Sequence, residues 1–356
     1  MSNARNLANL LGTNTQIQTA DIADGAFQAN KNLIINGDMR IDQRNGGASV
    51  TPTSSGYTLD RYQAGLSTSS KFSVQQVADA PDGFVNSLKV TSLASTTPAA
   101  SEWFFIQQKI EGYNSTQLEF GSSGAKDITA SFWVKSSLTG TFGLTFYNGN
   151  GSRAYPATYT ISVANTWEYK TISISGDTSG TWATNNTSSL QMIFDLGTGG
   201  DNSGTAGAWG SAKLAPTGVT QVVATNAATW QITGVQLELG DSATAFEHRS
   251  YGDELRRCQR YYNHMPLVMY DTIGSNYNTL STKSYSYHIH HEFPTTMRAS
   301  PTCTFDVKSS YSPYTSYASN MGVFGINVHK FGCRVNGTPL TANGDVDFTY
   351  TADAEL

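Results

Sequence analysis

The sequence predicts an all-β protein: a jelly-roll β-sandwich, then one short helix, then a smaller C-terminal β domain, preceded by an extended N-terminal arm. Three observations predict this. Short runs alternate apolar with polar residues. In ITASFWVKS, Ile128, Ala130, Phe132 and Val134 share one face while Thr129, Ser131, Trp133 and Lys135 share the other, the period of an antiparallel strand half-buried in a sandwich. Charged residues make up only 14% of the 356 positions, against about 25% in an ordinary soluble protein. Their place is taken by Ser, Thr, 33 Gly and 18 Tyr, a mixture that suits strands turning often.

Residues 1–30 form the arm. They hold no aromatic except Phe27, and a short helix over 3–11 is stopped by Gly12. The segment has too little apolar area to fold alone; it is either a disordered leader or an arm that orders on another protein. Residues 31–248 form the jelly roll. Its strand-like runs are 32–35, 57–66, 71–79, 86–93, 103–112, 128–137, 140–148, 157–163, 168–175, 188–197 and 229–240, with turn residues between them. The Gly/Ser/Ala-rich stretch 198–227 reads as a long surface loop. Residues 249–265 form a linking helix, with Ser250 and Asp253 as cap candidates and Leu255, Cys258, Tyr261 and Tyr262 at helical spacing. Runs at 285–297, 300–309, 322–335 and 344–354 build the C-terminal domain, 266–356.

Composition excludes several classes of partner. With 22 Lys+Arg against 27 Asp+Glu, a formal charge of −5 and no basic cluster, the chain has no footprint for nucleic acid. No window approaches the ~18 consecutive apolar residues of a membrane span. The start, MSNARNLANLLG, lacks the apolar stretch of a secretion signal. Cys258, Cys303 and Cys333 are odd in number and widely spaced. They fit neither a disulfide framework nor a zinc site and are expected as free thiols in a protein made in a reducing cytoplasm. Signatures of nucleophilic, metal-dependent and phosphate-binding enzymes are missing, so a non-enzyme without a required cofactor is expected.

Aromatic residues outside strands are the candidates for binding, because sugar C–H faces stack on rings. Trp182 and Trp209 sit in Gly/Ser/Asn-rich loops, and Tyr311, Tyr314 and Tyr317 recur every three residues in the C-terminal domain. Each either reads a ligand or packs back over its own loop. Trp103, Trp133, Trp167 and Trp230 lie in strands, where packing is expected. His288 and His290 alternate within a strand-like run, as a metal pair or as plain surface.

Several stretches together resemble bacteriophage tail-fibre and related virion-appendage proteins carrying a carbohydrate-binding-module-like jelly roll. These are NLIINGDMRIDQRNGG (32–47) with YTLDRYQ (57–63), ITGVQLELGDSATAFEHRSYGDELRRCQRYY (232–262), FPTTMRASPT (293–302), and the leader NARNLANLLGTNTQI. The resemblance implies a structural protein of the virion that docks on tail or other virion proteins through residues 1–30. It implies a host surface glycan or protein as the ligand of the β domains, the C-terminal one facing the host. It implies a homotrimer, for which Leu255 and Tyr262 are contact candidates. A threefold axis would gather His288 and His290 of three copies around a metal. In related jelly rolls the Asn36-Gly37-Asp38 position holds a structural calcium, with Asp38 and Glu238 as oxygen donors here; the alternative is a simple turn. A head-fibre position on the virion and a carbohydrate-binding module of an enzyme are the competing readings.

Overall fold

The computed structural model describes residues 30–271, 285–310, 321–337 and 344–356. The expected 3–11 helix and Tyr311, Tyr314 and Tyr317 lie outside the described residues. In chain order the strands are β1 (Gly56–Leu59), β2 (Tyr62–Leu66), β3 (Phe72–Val77), β4 (Ser87–Ser92), β5 (Trp103–Glu111), β6 (Ile128–Ser136), β7 (Gly140–Asn148), β8 (Arg153–Ile161), β9 (Glu168–Ile174) and β10 (Ser188–Thr198). They continue with β11 (Ser203–Gly204), β12 (Gly210–Ser211), β13 (Ala215–Pro216) and β14 (Thr229–Leu239). Helix α1 (Tyr251–Gln259) leads into β15 (Tyr262–Asp271), β16 (Tyr285–Glu292), β17 (Thr302–Ser310), β18 (Met321–Phe324), β19 (Lys330–Gly337) and β20 (Gly344–Asp353).

Two sheets make the jelly roll. One has the order β1-β2-β5-β10-β7-β8-β12 and the other β3-β4-β14-β6-β9, so strands distant in sequence lie side by side, as a sandwich requires. The apolar parity of each strand meets its counterpart between the sheets. Phe132, Phe194, Tyr159 and Trp230 are buried there, with Phe132 edge-on to Phe194 (5.2 Å) and to Tyr159 (5.1 Å). The buried Trp230 Nε1–H finds its acceptor in Tyr159 Oη at 3.0 Å, as an interior indole needs. Strands β15-β20-β17 and β16-β19-β18 form two further three-stranded sheets.

Three expectations are corrected. The run 32–35 is not a ladder strand, although Leu33 N–H donates to Leu237 O at 2.9 Å and Leu33, Ile34 and Ile35 are buried; Asn36 turns the chain away at φ 60°. The stretch 198–227 is more than a surface loop: it carries β11 to β13, and its Val222 and Val223 are in the core. The helix ends at Gln259, because Tyr262 already pairs with Asp353 in the β15–β20 ladder. Its start is as expected, with the Ser250 side chain accepting from Asp253 N–H.

A dense polar junction joins jelly roll, helix and C-terminal strands, and the motif residues meet there. Asn36 Nδ2 donates to Ile41 O (2.8 Å) and Asp60 O (3.0 Å), while its backbone N–H donates to Glu254. Arg249 donates to Ile34 O at 3.0 Å. Arg61, 1% exposed and at φ 70°, ion-pairs with the buried Glu355, and its guanidinium lies 3.5 Å over the Tyr261 ring. Arg44 reaches Asp353 and Glu355, both at 3.1 Å, and stacks 3.7 Å over Tyr262. Glu111 accepts from Arg260 (2.6 Å) and Tyr261 Oη–H (2.7 Å), and Arg298 donates to Glu355 O and Asn186 O. Leu255 and Tyr262, the candidate subunit contacts, both pack within the chain. Leu255 packs on the Ile35–Ile41–Cys258–Tyr261 cluster, and Tyr262 is buried under Arg44. Cys258 and Cys303 are free thiols, and burial pushes the Cys258 thiol well up.

Candidate functional site

The outer face of the seven-stranded sheet carries the site. Cross-strand register sets Gln63 opposite Gln107, Gln107 opposite Ile193, and Ile193 opposite Thr145. One step along, Gly65, Phe105 and Asp195 form the next row, and in the other direction stand Lys109, Gln191 and Tyr147. Trp103 and Phe105 point the same way from β5 and stack at 5.2 Å with 19° between their planes. Gly65 makes room for that stack, since a Cβ there would collide with the Phe105 ring.

Three acceptors on this face have no donor. Gln107 Nε2 donates to Gln63 Oε1, but Gln107 Oε1 has no partner. Thr145 Oγ1 and Asp195 Oδ2 are equally alone, and all three residues are at most 5% exposed. Asp195 Oδ1 accepts from Thr198 Oγ1–H (2.6 Å) and Gly197 N–H (3.1 Å). Burial nonetheless pushes its carboxyl up to about 7. A buried unpaired acceptor costs about 1–3 kcal/mol; Gln107 and Thr145 stand in one row and Asp195 in the next, all closed off from solvent, while Gln63, Lys109, Gln191 and Tyr147 on the same face are half-buried. The C-terminal junction closes one end of the face, where Lys109 Nζ donates to Leu356 O at 2.8 Å.

Of the two alternatives for the loop tryptophans, the structure shows packing. Trp182 is only 9% exposed. It, Phe120 and Trp209 pack edge to face, with centroids 4.9–5.7 Å apart, and Tyr155 adds a further edge at 5.6 Å. Trp182 Nε1–H donates to Ser179 O and Trp209 Nε1–H to Ser175 O. The rings turn their faces to one another, which is a packing arrangement. Conversely, Trp103 and Trp133, in strands, are half-buried on outer faces; Trp167, expected in a strand, is half-buried in the turn before β9, and of the four only Trp230 is core. The signal was in the parity: Trp103 shares its side of β5 with Gln107 and Lys109, and Trp133 shares its side of β6 with Thr129, Ser131 and Lys135.

The two calcium donors do not converge. Asp38 ion-pairs with Arg40. Both oxygens of Glu238 accept from Thr244 (2.9 and 2.6 Å), one of them also from Gln236 Nε2 at 2.8 Å. Glu238 lines a cavity of about 610 Å³ together with Lys31, Lys126, Asp127 and Asp241, and Asp38 is not in its wall. Calcium takes six to eight oxygens, and among the described residues no three His, Cys, Asp or Glu side chains gather. Asp38 keeps one oxygen, Oδ1, buried without a partner. His288 and His290 stand in β16 opposite Arg334 and Gly332; their side chains lie outside the described ones. Among the described residues, no helix is long and apolar enough to cross a membrane.

No family model matches the chain, and no curated protein matches it. Among solved structures it is similar to the enzymatically active domain of tailspike protein 4 of bacteriophage CBA120, at 13% identity over 59% of this chain and a TM-score of 0.31. The match spans 22% of that tailspike chain. It is also similar to the carbohydrate-binding module CBM4, at 15% identity over 58% of this chain and 98% of the other, TM-score 0.29. A family 11 carbohydrate-binding module from Clostridium thermocellum, in complex with a β-1,3-1,4-mixed-linked tetrasaccharide, matches at 15% identity over 57% of this chain and 100% of the other, TM-score 0.27.

Proposed function

We propose that this is a glycan-binding β-sandwich protein of a phage virion appendage, acting by binding and without catalysis, with a saccharide held on the outer face of the seven-stranded sheet. The observation that carries the reading is the half-buried Trp103, stacked on Phe105, on the same face as the half-buried polar side chains of Gln63, Lys109, Gln191 and Tyr147. Sugar hydroxyls take these polar side chains as partners, and sugar C–H faces lie against the Trp103 ring. Gln191→Ala and Trp103→Ala should each weaken binding on an array of bacterial surface polysaccharides by up to about tenfold, the ~0.5–1.5 kcal/mol of one hydrogen bond or ring contact. Unchanged binding in both variants would move the ligand off this face.

The virion part of the proposal rests on the resemblance of the motif blocks. In it residues 1–30 dock on a tail protein and the C-terminal strands face the host, with Tyr311, Tyr314 and Tyr317 as further receptor candidates. Electron microscopy of virions labelled at the C-terminus separates a tail from a head position. A homotrimer belongs to the same proposal, and light scattering of the full chain at micromolar concentration should give three times the 38.3 kDa of one chain. A monomer there would remove the threefold mount, and with it the His288–His290 metal arrangement.

A further inference from the structure

The opposite outer face, that of the five-stranded sheet, has a different construction. Register places Trp133 of β6 between Thr233 of β14 and Tyr169 of β9, and Lys135 beside Gln231. Trp133 and Tyr169 meet at 5.4 Å with their planes tilted by 51°, and Tyr169 is 44% exposed. Phe84, from the loop before β4, joins them through Gly234. That residue sits at φ 61°, and a Cβ on it would come within 2.7 Å of Phe84 Cζ and 3.1 Å of Trp133 Cδ1.

Asp79 stands beside this aromatic group. Its Oδ2 accepts from the Lys135 ammonium and from Gln231 Nε2 at 3.1 Å, and its Oδ1 faces Trp167 Nε1–H at 3.4 Å. Donors from β6, from β14 and from the Trp167 turn hold the carboxylate in place, yet its side chain stays 51% exposed. The hydrogen bond from Lys135 keeps the carboxyl below the usual carboxylate range. A surface ion pair of this kind adds little stability, and the core lies on the other side of the sheet. What the arrangement does supply is a fixed acceptor with lone pairs open to solvent, next to rings with accessible area. Charge is balanced between Asp79 and Lys135, which suits a neutral ligand better than an anionic polymer. Polar groups interrupt the rings, so that each ring has an acceptor or donor within reach.

We propose that this face is a second saccharide site, in which Asp79 accepts from sugar hydroxyls and Trp133 and Tyr169 provide the stacking rings. It stands on residues that share nothing with the Gln107 face, and the two sites look away from each other across the sandwich. One chain is thereby able to hold two glycan strands at once.

The chain has 6 Trp, so the full-length protein labelled with 5-fluorotryptophan gives a separate ¹⁹F reporter on each face. Single Trp→Phe variants assign the resonances. Glucose, galactose, mannose and N-acetylglucosamine, each to 100 mM, and xylohexaose to 10 mM are the probes. The expected result is a saturable shift of the Trp133 and Trp167 resonances with at least one probe. Asp79→Ala should raise the apparent Kd at those two reporters at least tenfold, and Asp79→Asn, which keeps one acceptor oxygen, should raise it less. The remaining resonances, unmoved in both variants, show that the fold is intact. Absence of a saturable shift at Trp133 and Trp167 with every probe, or the same Kd in Asp79→Ala, overturns the proposal. A shift at Trp103 alone overturns it while leaving the first site standing. A shift at Trp133 and Trp167 alone sustains it and counts against the first.

Discussion

Arg61→Ala is expected to lower stability by about 3–5 kcal/mol, the usual cost of stripping one partner from a buried ion pair. The substitution leaves Glu355, whose side chain is 4% exposed, with a buried charge and only the more peripheral Arg44 to meet it. It also removes the donor to Lys109 O and the cation stacked on Tyr261. Calorimetry should show a fall on the order of 10 °C in melting temperature, and the C-terminal strands should become susceptible to limited proteolysis first. Arg61→Lys should not restore the wild-type value, because a point-charge ammonium cannot both pair with Glu355 and lie flat on the ring. Arg256→Ala is the control. Its ion pair with Asp253 is exposed on both sides, and its loss should leave the melting temperature close to that of wild type. An Arg61→Ala protein that melts within a degree or two of wild type would mean the junction does not hold the parts together.

The second large effect concerns pH. Burial pushes the carboxyls of both Asp195 and Asp60 up to about 7 from an ordinary value of 3.8. Across that window the folded chain binds more protons than the unfolded one, so the stability these groups contribute is full below about pH 4 and lost as pH rises through 7. Each titrating group gives a slope of up to ~1.4 kcal/mol per pH unit. The melting temperature should therefore decline from pH 5 to pH 8. His291, whose pKa burial lowers, works in the opposite direction, so the decisive measurement is a difference between variants. Asp195→Asn keeps an oxygen for Thr198 and Gly197 while removing the titration. It should match wild type near pH 5, exceed it at pH 8, and show a shallower pH slope. A slope identical to wild type would place Asp195 outside the titrating set.

The two outer faces show how much of the site could be read from residues alone. Parity along β5 and β6 already put Trp103 with Gln107 and Trp133 with Lys135. Expecting them to pack followed from weighing residue type above parity. For Trp182 and Trp209 residues alone left two alternatives open. Gly/Ser surroundings look like an exposed loop, but Phe120 and Tyr155, from other stretches of chain, come to meet their rings. Asp79 carried no local signal at all, because its donors Lys135, Trp167 and Gln231 lie 56, 88 and 152 residues away.

Period-two alternation, turn punctuation and low charge by themselves determined an all-β sandwich with a helix after it, since each of these is a local property of a half-buried strand or a cap. The motif blocks were equally visible in the sequence, but their role was not. Asn36, Arg61, Arg249 and Arg298 make the junction, and Arg61 meets Glu355 across 294 residues. Only the tertiary structure decided that, and only it decided which acceptors lack donors. Both depend on sheet register and on what lies over a face, and neither is a property of any stretch of chain short enough to show a pattern.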